Sequence, residues 1–574
     1  METLMSSKDL RRKFLEFFEK NGHKIVPSSS LIPTDTSVLF TTAGMQQFKP
    51  YYLGEKSPFG QNVCSCQKCF RTSDIEEVGD DSHLTFLEML GNFSFGGYFK
   101  EEAIKLAYEF LFKELRLPLN KAVFTVFEGD GKVPEDKDSI QIWKKLGISE
   151  DRIKKCGRED NFWGPTGKEG PCGPTTEIYF NGIEVWNLVF NEYYQDKSGK
   201  LTSLEQKGVD TGMGLERLAT VVQGKKSVFE TDLFLPIINE IPGDNEKAKR
   251  IISDHVKSSV FLIVDGILPS NVERGYVLRR VLRRAIRYGK ILNLPENFLI
   301  PLAQKAIEMY KDVYPELKSK EADIITVIQN EEEKFEKTLD QGLKEFNDFV
   351  LRREPKNGKV GVAWDQCILY GKEAFYLYQS FGFPKEIMQE LCIEKNIKFD
   401  ENGFESEFKK HQDLSRTSSS GMFKGGLADA SEKTIQYHTA NHLLLVALRQ
   451  VLGGHVSQKG SNITTERLRF DFLHLEKMTE KEIKEVEDIV NQKIKEDLSV
   501  VYEEMTLDEA KKKGATGVFE DKYEEKVKVY SIGDFSKEIC GGPHVIRTGE
   551  LGHFKVVKEE SSSAGIRRIR AVLE

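Results

Sequence analysis

Between residues 60 and 235 the spacing of the strands leaves few folds open. Strand-like runs, Ala122 to Phe127, Thr176 to Phe180 and Glu184 to Phe190, alternate with Gly-rich turns. Parallel strands need a crossover between them, usually helical. No regular βαβ spacing is present, so the stretch predicts an α+β domain on a largely antiparallel sheet. Ahead of it Leu10, Phe14, Phe17 and Phe18 recur at helical spacing, Ser6-x-x-Asp9 resembles a capping box, and Asn21-Gly22 ends the run. One amphipathic helix is predicted there. Beyond about residue 245 prolines thin out and long amphipathic stretches take over, Glu321 to Leu351 among them. Arg416 to Gly421 reads as a flexible connector. A second mixed region follows, with a helix around His438 to Arg449 and a charged helix opened by Thr479-x-x-Glu482. Strands are predicted near Val527 to Tyr530 and Phe554 to Val557.

A length of 574 residues suits several domains. With 83 Lys and Arg against 91 Asp and Glu, the net charge of -8 argues against indiscriminate nucleic-acid binding but permits a local basic face. Eight cysteines without a dense block predict reduced thiols and an intracellular setting. The run Cys64-Ser-Cys66-Gln-Lys-Cys69 has no second half nearby and reads as buried free thiols. No apolar run approaches the roughly 18 residues of a membrane span, and Val260 to Val264 is stopped by Asp265. Asp9, Arg11, Arg12 and Lys13 occupy the place of a signal peptide's apolar core. A soluble cytoplasmic protein is expected.

Two short pairs carry candidate metal ligands, His438-Thr-Ala-Asn-His442 and Cys540-Gly-Gly-Pro-His544. Histidines at i and i+4 project from one helix face about 6 Å apart, close enough to share an ion. Three imidazoles and a thiolate suit tetrahedral Zn²⁺. Such short patterns also arise by chance, with the side chains simply packed or exposed. The first pair lacks the glutamate of HExxH, so a peptidase base is missing.

The run Arg274 to Arg287 is the strongest charge signal. Arg279, Arg280, Arg283, Arg284 and Arg287 repeat at helical spacing with no acid between 274 and 290. A helix of this kind can bury its apolar side and offer guanidinium groups to nucleic-acid phosphates, the reading favoured here. The alternative is a face paired to acids elsewhere in the chain. No Walker motif is present, and Gly212-Met-Gly214-Leu-Glu-Arg217 lacks the third glycine of a dinucleotide fingerprint. Arg71 and Arg217 stand alone in apolar or Gly-rich settings, where a guanidinium fork suits phosphate.

Taken together, the segments resemble the alanyl-tRNA synthetase family of class II aminoacyl-tRNA synthetases over essentially the whole chain. Val38 to Pro50 looks like motif 1, Phe70-Arg71 through Gly96 like motif 2, and Asp210-Thr-Gly-Met-Gly-Leu-Glu-Arg217 like motif 3. The resemblance implies a class II catalytic domain at 1–240, a helical tRNA-recognition domain at 241–413 and an α+β editing domain with zinc at 414–574. It implies Arg71 on the ATP α-phosphate, Arg217 at the far end of the triphosphate, and Phe86 and Met89 lining the adenine site. Trp163, Asn187, Asp210 and Gly212 would form the amino-acid pocket, with Asp210 pairing the ammonium. Mg²⁺ would accompany ATP. The tRNA contacts implied or favoured are Asn271, Arg279, Arg283 and Gln379.

The C-terminal third resembles the family's editing domain through Phe423 to Asp429, His438-x-x-x-His442, Gln458 to Ser461, Arg467 to Asp471 and Cys540-x-x-x-His544. Zinc at His438, His442, Cys540 and His544 is thereby implied, as is hydrolysis of mischarged Ser-tRNA(Ala) or Gly-tRNA(Ala) with Gln458 near the ester. Three departures from the family are expected to matter. The usual coiled coil and C-terminal domain do not follow Glu574, so a monomer is expected. Gln379 stands where an acid reads the acceptor-stem wobble pair, and an amide cannot reproduce an acceptor-only pattern. Pro543 replaces a threonine, so weaker editing is expected. The rival readings are a stand-alone trans-editing deacylase and a tRNA-binding protein with an inactive synthetase-like half.

Overall fold

The structure is a computed structural model that describes residues 5–35, 37–165, 167–351, 368–420, 431–517, 526–563 and 565–574. The chain divides into two compact units, Met1–Lys337 and Thr338–Glu574.

The first unit carries a nine-stranded sheet: β1 (Lys24–Ile25), β2 (Asn62–Phe70), β3 (Phe86–Phe95), β4 (Ala122–Phe127), β5 (Ile153–Cys156), β6 (Phe162–Trp163), β7 (Gly170–Phe180), β8 (Ile183–Gln195) and β9 (Leu201–Gly214). Their order is β1-β2-β3-β9-β8-β7-β4-β5, with β6 on β7. The central pairings are antiparallel, while β1 on β2 and β4 on β5 are parallel. The sheet is therefore mixed at its edges and antiparallel where the strands are long. Between β7 and β8 only Asn181 and Gly182 turn the chain, both at positive φ, 51° and 83°. This is the two-residue turn whose backbone matches strand twist and which Asn-Gly supplies with least strain.

Alternation along these strands separates a core face from a pocket face. Trp186 of β8 meets Phe14 and Phe18 of the Ser7–Lys20 helix at ring-centroid distances of 5.9 and 6.2 Å. That helix begins as its sequence predicts, with the Ser6 hydroxyl accepting the Asp9 N–H at 3.2 Å. Arg11 on its buried side makes a bidentate pair with Glu88 of β3 at 2.9 and 2.6 Å. The apolar periodicity gave no sign of that charge pair, because its acid lies on a different element.

Helices Glu246–Val264, Glu273–Ile291, Leu299–Tyr310 and Glu321–Leu351 follow, the last crossing the boundary between the units. The Glu273–Ile291 helix corrects one expectation. Arg279, Arg283, Arg284 and Arg287 are each no more than 6% exposed, so there is no free cationic face on which Arg279 and Arg283 meet phosphate. Arg283 Nε donates to buried Glu331 at 2.6 Å, and Arg279 Nε lies 3.4 Å from the same carboxylate. The compensating acid comes from the Glu321–Leu351 helix, which local charge counting cannot see.

The second unit holds the parallel pair β10 (Ile368–Leu369) and β11 (Lys398–Phe399). Strands β12 (Gln458–Ile463), β13 (Leu468–Leu473), β18 (Phe554–Ser563) and β19 (Ile566–Leu573) form a sheet in the order β12-β13-β19-β18. Strands β14 (Val500–Thr506), β15 (Thr516–Gly517), β16 (Lys526–Ile532) and β17 (Ser536–Ile539) form another, ordered β14-β16-β17-β15. Helices Glu432–Leu452 and Glu480–Lys495 share a core with the first of these through Leu444, Leu448, Val486, Phe470, Phe472 and Ile569. Thr479 caps the second helix reciprocally with Glu482. The connector expected at Arg416 to Gly421 is helical up to Ser420, as part of Glu401–Ser420. Once a helix is nucleated, each further residue adds a hydrogen bond, so a serine run can be carried along. The Phe423 to Asp429 motif lies outside the described residues.

Candidate functional site

One open pocket lies on the odd-numbered face of β3 and β8 and the even-numbered face of β9. Leu87 and Met89 reach it from β3, Val185, Asn187 and Val189 from β8, and Asp210, Gly212 and Gly214 from β9. Registers Asn187↔Gly212, Val189↔Asp210 and Met89↔Gly214 set these residues side by side. Arg71, Trp163 and Arg217, which the sequence also assigns to the site, line it as well.

Asp210 is buried at 5% exposure, and burial alone pushes its carboxyl up to about 7. No cation among the described residues lowers it. A buried carboxylate without a partner is expensive, so this position is prepared for a cation from outside. Asn187 Nδ2 donates to Glu177 at 2.8 Å, which leaves the amide oxygen of Asn187 buried without a partner among the described residues. Burial first, then the neighbouring Glu184, pushes Glu177 up to about 7. Arg217 sits in the first turn of the Leu215–Val222 helix and donates to Glu184 at 2.8 Å. Arg71 follows β2 directly, its Nε donating to the Thr42 carbonyl at 3.3 Å. A Cβ at Gly212 would stand 3.0 Å from Met89 Sδ, so any larger residue there would press on that side chain.

Phe86 is a correction. It is fully buried on the even face of β3 and stacks on Phe261, ring centroids 3.9 Å apart and planes 9° from parallel. The same alternation that brings Leu87 and Met89 into the pocket turns Phe86 away. The sequence assigns no role to several lining residues, among them Asp74, His83, Glu184 and Glu216.

In the second unit the metal-ligand candidates meet. One ligand atom from each of His438, His442, Cys540 and His544 falls within 4.8 Å of every other. The helix Glu432–Leu452 supplies two and the loop after β17 the others. Each imidazole is oriented through Nδ1: His438 with the Pro543 carbonyl at 2.9 Å, His442 with Glu538 at 2.8 Å, His544 with the Thr439 hydroxyl at 3.3 Å. The Nε2 atoms of His442 and His544 are buried without hydrogen-bond partners among the described residues, and His438 Nε2 lies 3.4 Å from Cys540 Sγ. Such outer partners fix tautomer and ring direction in metal sites. Four soft and borderline donors with spare inward lone pairs fit a metal ion. Glu538, two residues before Cys540, is a support that the ligand pattern did not reveal.

Gln458 opens β12 beside this cluster. Its Oε1 accepts from Asn441 of the ligand helix at 3.3 Å, and its Nε2 donates to Ser461 at 3.2 Å. Asn271, just before the Glu273–Ile291 helix, and Gln379, on the Gly371–Phe381 helix, are both exposed. Arg279 Nη1 donates to the Asn271 side chain. Cys64, Cys66 and Cys69 are buried free thiols on β2. No helix among the described residues is long and apolar enough to cross a membrane.

The comparisons with known proteins fall on both units. The family described as tRNA synthetases class II (A) matches residues 9–447, and the threonyl and alanyl tRNA synthetase second additional domain matches residues 527–570. An alanine–tRNA ligase of Borrelia hermsii is 48% identical, over 99% of this chain and 100% of its own. One of Treponema denticola is 50% identical, over 99% and 98%. One of Dehalococcoides mccartyi is 37% identical, over 99% of this chain and 80% of its own. Among solved structures, an aspartyl tRNA synthetase from Entamoeba histolytica covers 40% of this chain and 56% of its own at a TM-score of 0.26 and 14% identity, too slight a likeness to bear on the fold.

Proposed function

Since the chain belongs to the alanine–tRNA ligase family of class II tRNA synthetases, we propose that it joins alanine to tRNA(Ala) in an ATP-dependent reaction and hydrolyses tRNA charged with serine or glycine. The observation that carries the first activity is a buried Asp210, without a cationic partner among the described residues, in one pocket with Arg71 and Arg217. The alanine ammonium pairs with Asp210, and its carboxylate attacks the α-phosphorus of ATP in line. The bond to pyrophosphate breaks, and alanyl-adenylate forms. Arg71 meets the α-phosphate, where charge grows in the transition state and a fixed donor is worth most. Arg217 meets the far end of the triphosphate, Mg²⁺ arrives with ATP, and Met89 borders the adenine. The terminal ribose hydroxyl of tRNA then attacks the adenylate carbonyl and releases AMP.

Trp163, Asn187 and Gly212 bound a small side-chain space. Such a pocket excludes bulk but separates alanine from glycine or serine by only about 1–3 kcal/mol, which is the physical reason for a second activity. For that activity His438, His442, Cys540 and His544 hold Zn²⁺. Four protein ligands make a closed set, of the kind in which zinc serves structure. Holding zinc there would fix the Glu432–Leu452 helix against the loop after β17. Gln458 is a neutral amide, so it orients the ester or the attacking water and takes no proton. Asn271 contacts the tRNA acceptor stem, and Arg279 and Arg283 act behind it, one holding its side chain and both converging on Glu331. Gln379 is a separate tRNA contact on the second unit. The division at 240 and 413, a cytoplasmic location and a monomeric state belong to the same reading, the last tested by light scattering.

Alanine-dependent ATP–pyrophosphate exchange, alanylation of the matching tRNA and deacylation of Ser-tRNA(Ala), each beside an Asp210→Ala variant, test the proposal. Deacylation without exchange by the unaltered protein supports a trans-editing deacylase instead. Binding of tRNA without any of the three leaves an inactive relative.

A further inference from the structure

The fifteen residues from Arg71 to Thr85 join β2 to β3 and reach the pocket with Arg71, Asp74, Ser82, His83 and Leu84. Apart from Ala43 and the helical Glu216 and Arg217, the remaining pocket groups sit on strands whose backbone is fixed by ladder hydrogen bonds. This loop has no ladder, yet buried carbonyls need donors wherever they point. Arginines from two helices supply them. Arg284 Nη1 donates to the Ile75 carbonyl at 2.7 Å, and the same guanidinium reaches the carbonyls of Glu76 and Val78 at 3.5 Å. Arg250 Nη1 donates to the Asp80 and Gly79 carbonyls at 3.0 and 3.4 Å, and its Nη2 pairs with Asp81 at 2.9 Å. Arg280 pairs with the Glu76 side chain.

The end of the loop is held from the same side. Asp254 accepts both the N–H and the hydroxyl of Thr85, at 3.0 and 2.5 Å, while His255 bridges Asp254 and Arg284 at 2.9 and 3.1 Å. Ile75 and Val78 are fully buried beneath the anchored turns. The arginine run, read by itself as a nucleic-acid face, is thus turned inward on a pocket-lining loop.

We propose that Arg250, Arg280 and Arg284 are positioning residues for the nucleotide half of the pocket. They fix the Arg71–Thr85 loop so that Arg71 and its neighbours meet ATP in one arrangement. The amino-acid half, Trp163, Asn187, Asp210 and Gly212, stands on strands and does not depend on them. The inference rests on the synthetase reading given above. A guanidinium is required because one planar fork carries five donors and can serve several carbonyls at once, which an ammonium on a flexible stem cannot.

The test is alanine-dependent ATP–pyrophosphate exchange by the full chain, with KM for ATP and for alanine measured separately and the thermal midpoint recorded. Arg250→Ala and Arg284→Lys are expected to raise KM for ATP by about tenfold, the scale of losing charge-assisted hydrogen bonds, and to leave KM for alanine within about twofold. Arg284 is buried, so the partly exposed pair provides the second probe. Arg280→Glu is expected to give a smaller rise in KM for ATP, reversed when Glu76→Arg is added. Folded variants with both KM values unchanged overturn the proposal. So does a parallel rise in both values with a lowered midpoint, since that marks a merely structural role. Absence of exchange in the unaltered protein overturns the synthetase reading itself, an outcome distinct from either.

Discussion

The pocket of the first unit and the ligand cluster of the second solve opposite problems with similar side chains. Among the described residues, Asp210 in the pocket is buried without a cationic partner, and Asn187 keeps an unpaired amide oxygen. In the cluster, every imidazole is already tied down through Nδ1, and what remains unsatisfied points inward at a common center. The first arrangement stores a demand for a transient cation that must arrive and leave. The second stores a demand for a resident one. Partner supply decides the difference: a strand face offers isolated side chains, whereas a helix turn packed on a loop offers carbonyl, carboxylate and hydroxyl together.

The largest expected effect breaks the comparison on one side only. Asp210→Ala should lower kcat/KM for alanine in exchange by about 10²–10³-fold, the scale of truncating one partner of a buried charge pair. Metal content and Ser-tRNA deacylation should stay unchanged. Loss of both activities together would mean that the two sites are not separate.

On the other side, Glu538→Gln should weaken metal binding by about 10- to 100-fold, as removal of an orienting partner typically does. Chelator competition followed by metal analysis checks this. Cys540→Ala should remove the metal outright, with alanylation retained. Unchanged affinity in Glu538→Gln would show that the inward lone pairs need no outer support.

A pH series sharpens the contrast. With the Asp210 carboxyl near 7, lowering the pH from 8 to 6 should raise KM for alanine by about tenfold, because only the ionised form pairs with an ammonium. KM for ATP should not follow the same profile. The sign for stability runs the other way. A carboxyl whose folded pKa lies above its ordinary 3.8 stabilises the fold fully below that value, and the contribution fades as pH rises toward 7. Asp210→Asn should therefore raise the melting temperature at pH 8 by about 2 °C or more while weakening exchange on the scale of Asp210→Ala. An unchanged or lower melting temperature would argue that the free carboxylate has a partner.

The smallest effect separates neighbours on one strand. Met89→Ala should change KM for ATP, whereas Phe86→Leu should move it by less than about twofold and act on stability instead, by roughly 1 kcal/mol. A Phe86→Leu defect confined to ATP binding would return Phe86 to the pocket.

Local periodicity made much of the fold legible. Ala122 to Phe127 is β4 residue for residue, Glu321 to Leu351 is one helix, and the caps at Ser6 and Thr479 form as their patterns predict. The four metal-ligand candidates were equally readable, because two short segments carry all of them. Serine content misled at Arg416 to Ser420, where a helix begun at Glu401 continues. Phe86 shows a different limit: similarity names a residue type, but strand parity decides which face it serves.

What the order of residues determined by itself is whatever acts over one or two turns: helix caps, strand runs, the HxxxH and CxxxH pairs, and arginines at helical spacing. What only the tertiary structure decided is where those groups find partners. The arginines of Glu273–Ile291 meet Glu331 and the carbonyls after β2, Phe86 meets Phe261, and the Asp210 carboxylate meets no cation among the described residues. Electrostatic and hydrogen-bond partners are chosen by proximity in space, and in a sheet of crossed order that proximity joins residues more than a hundred positions apart.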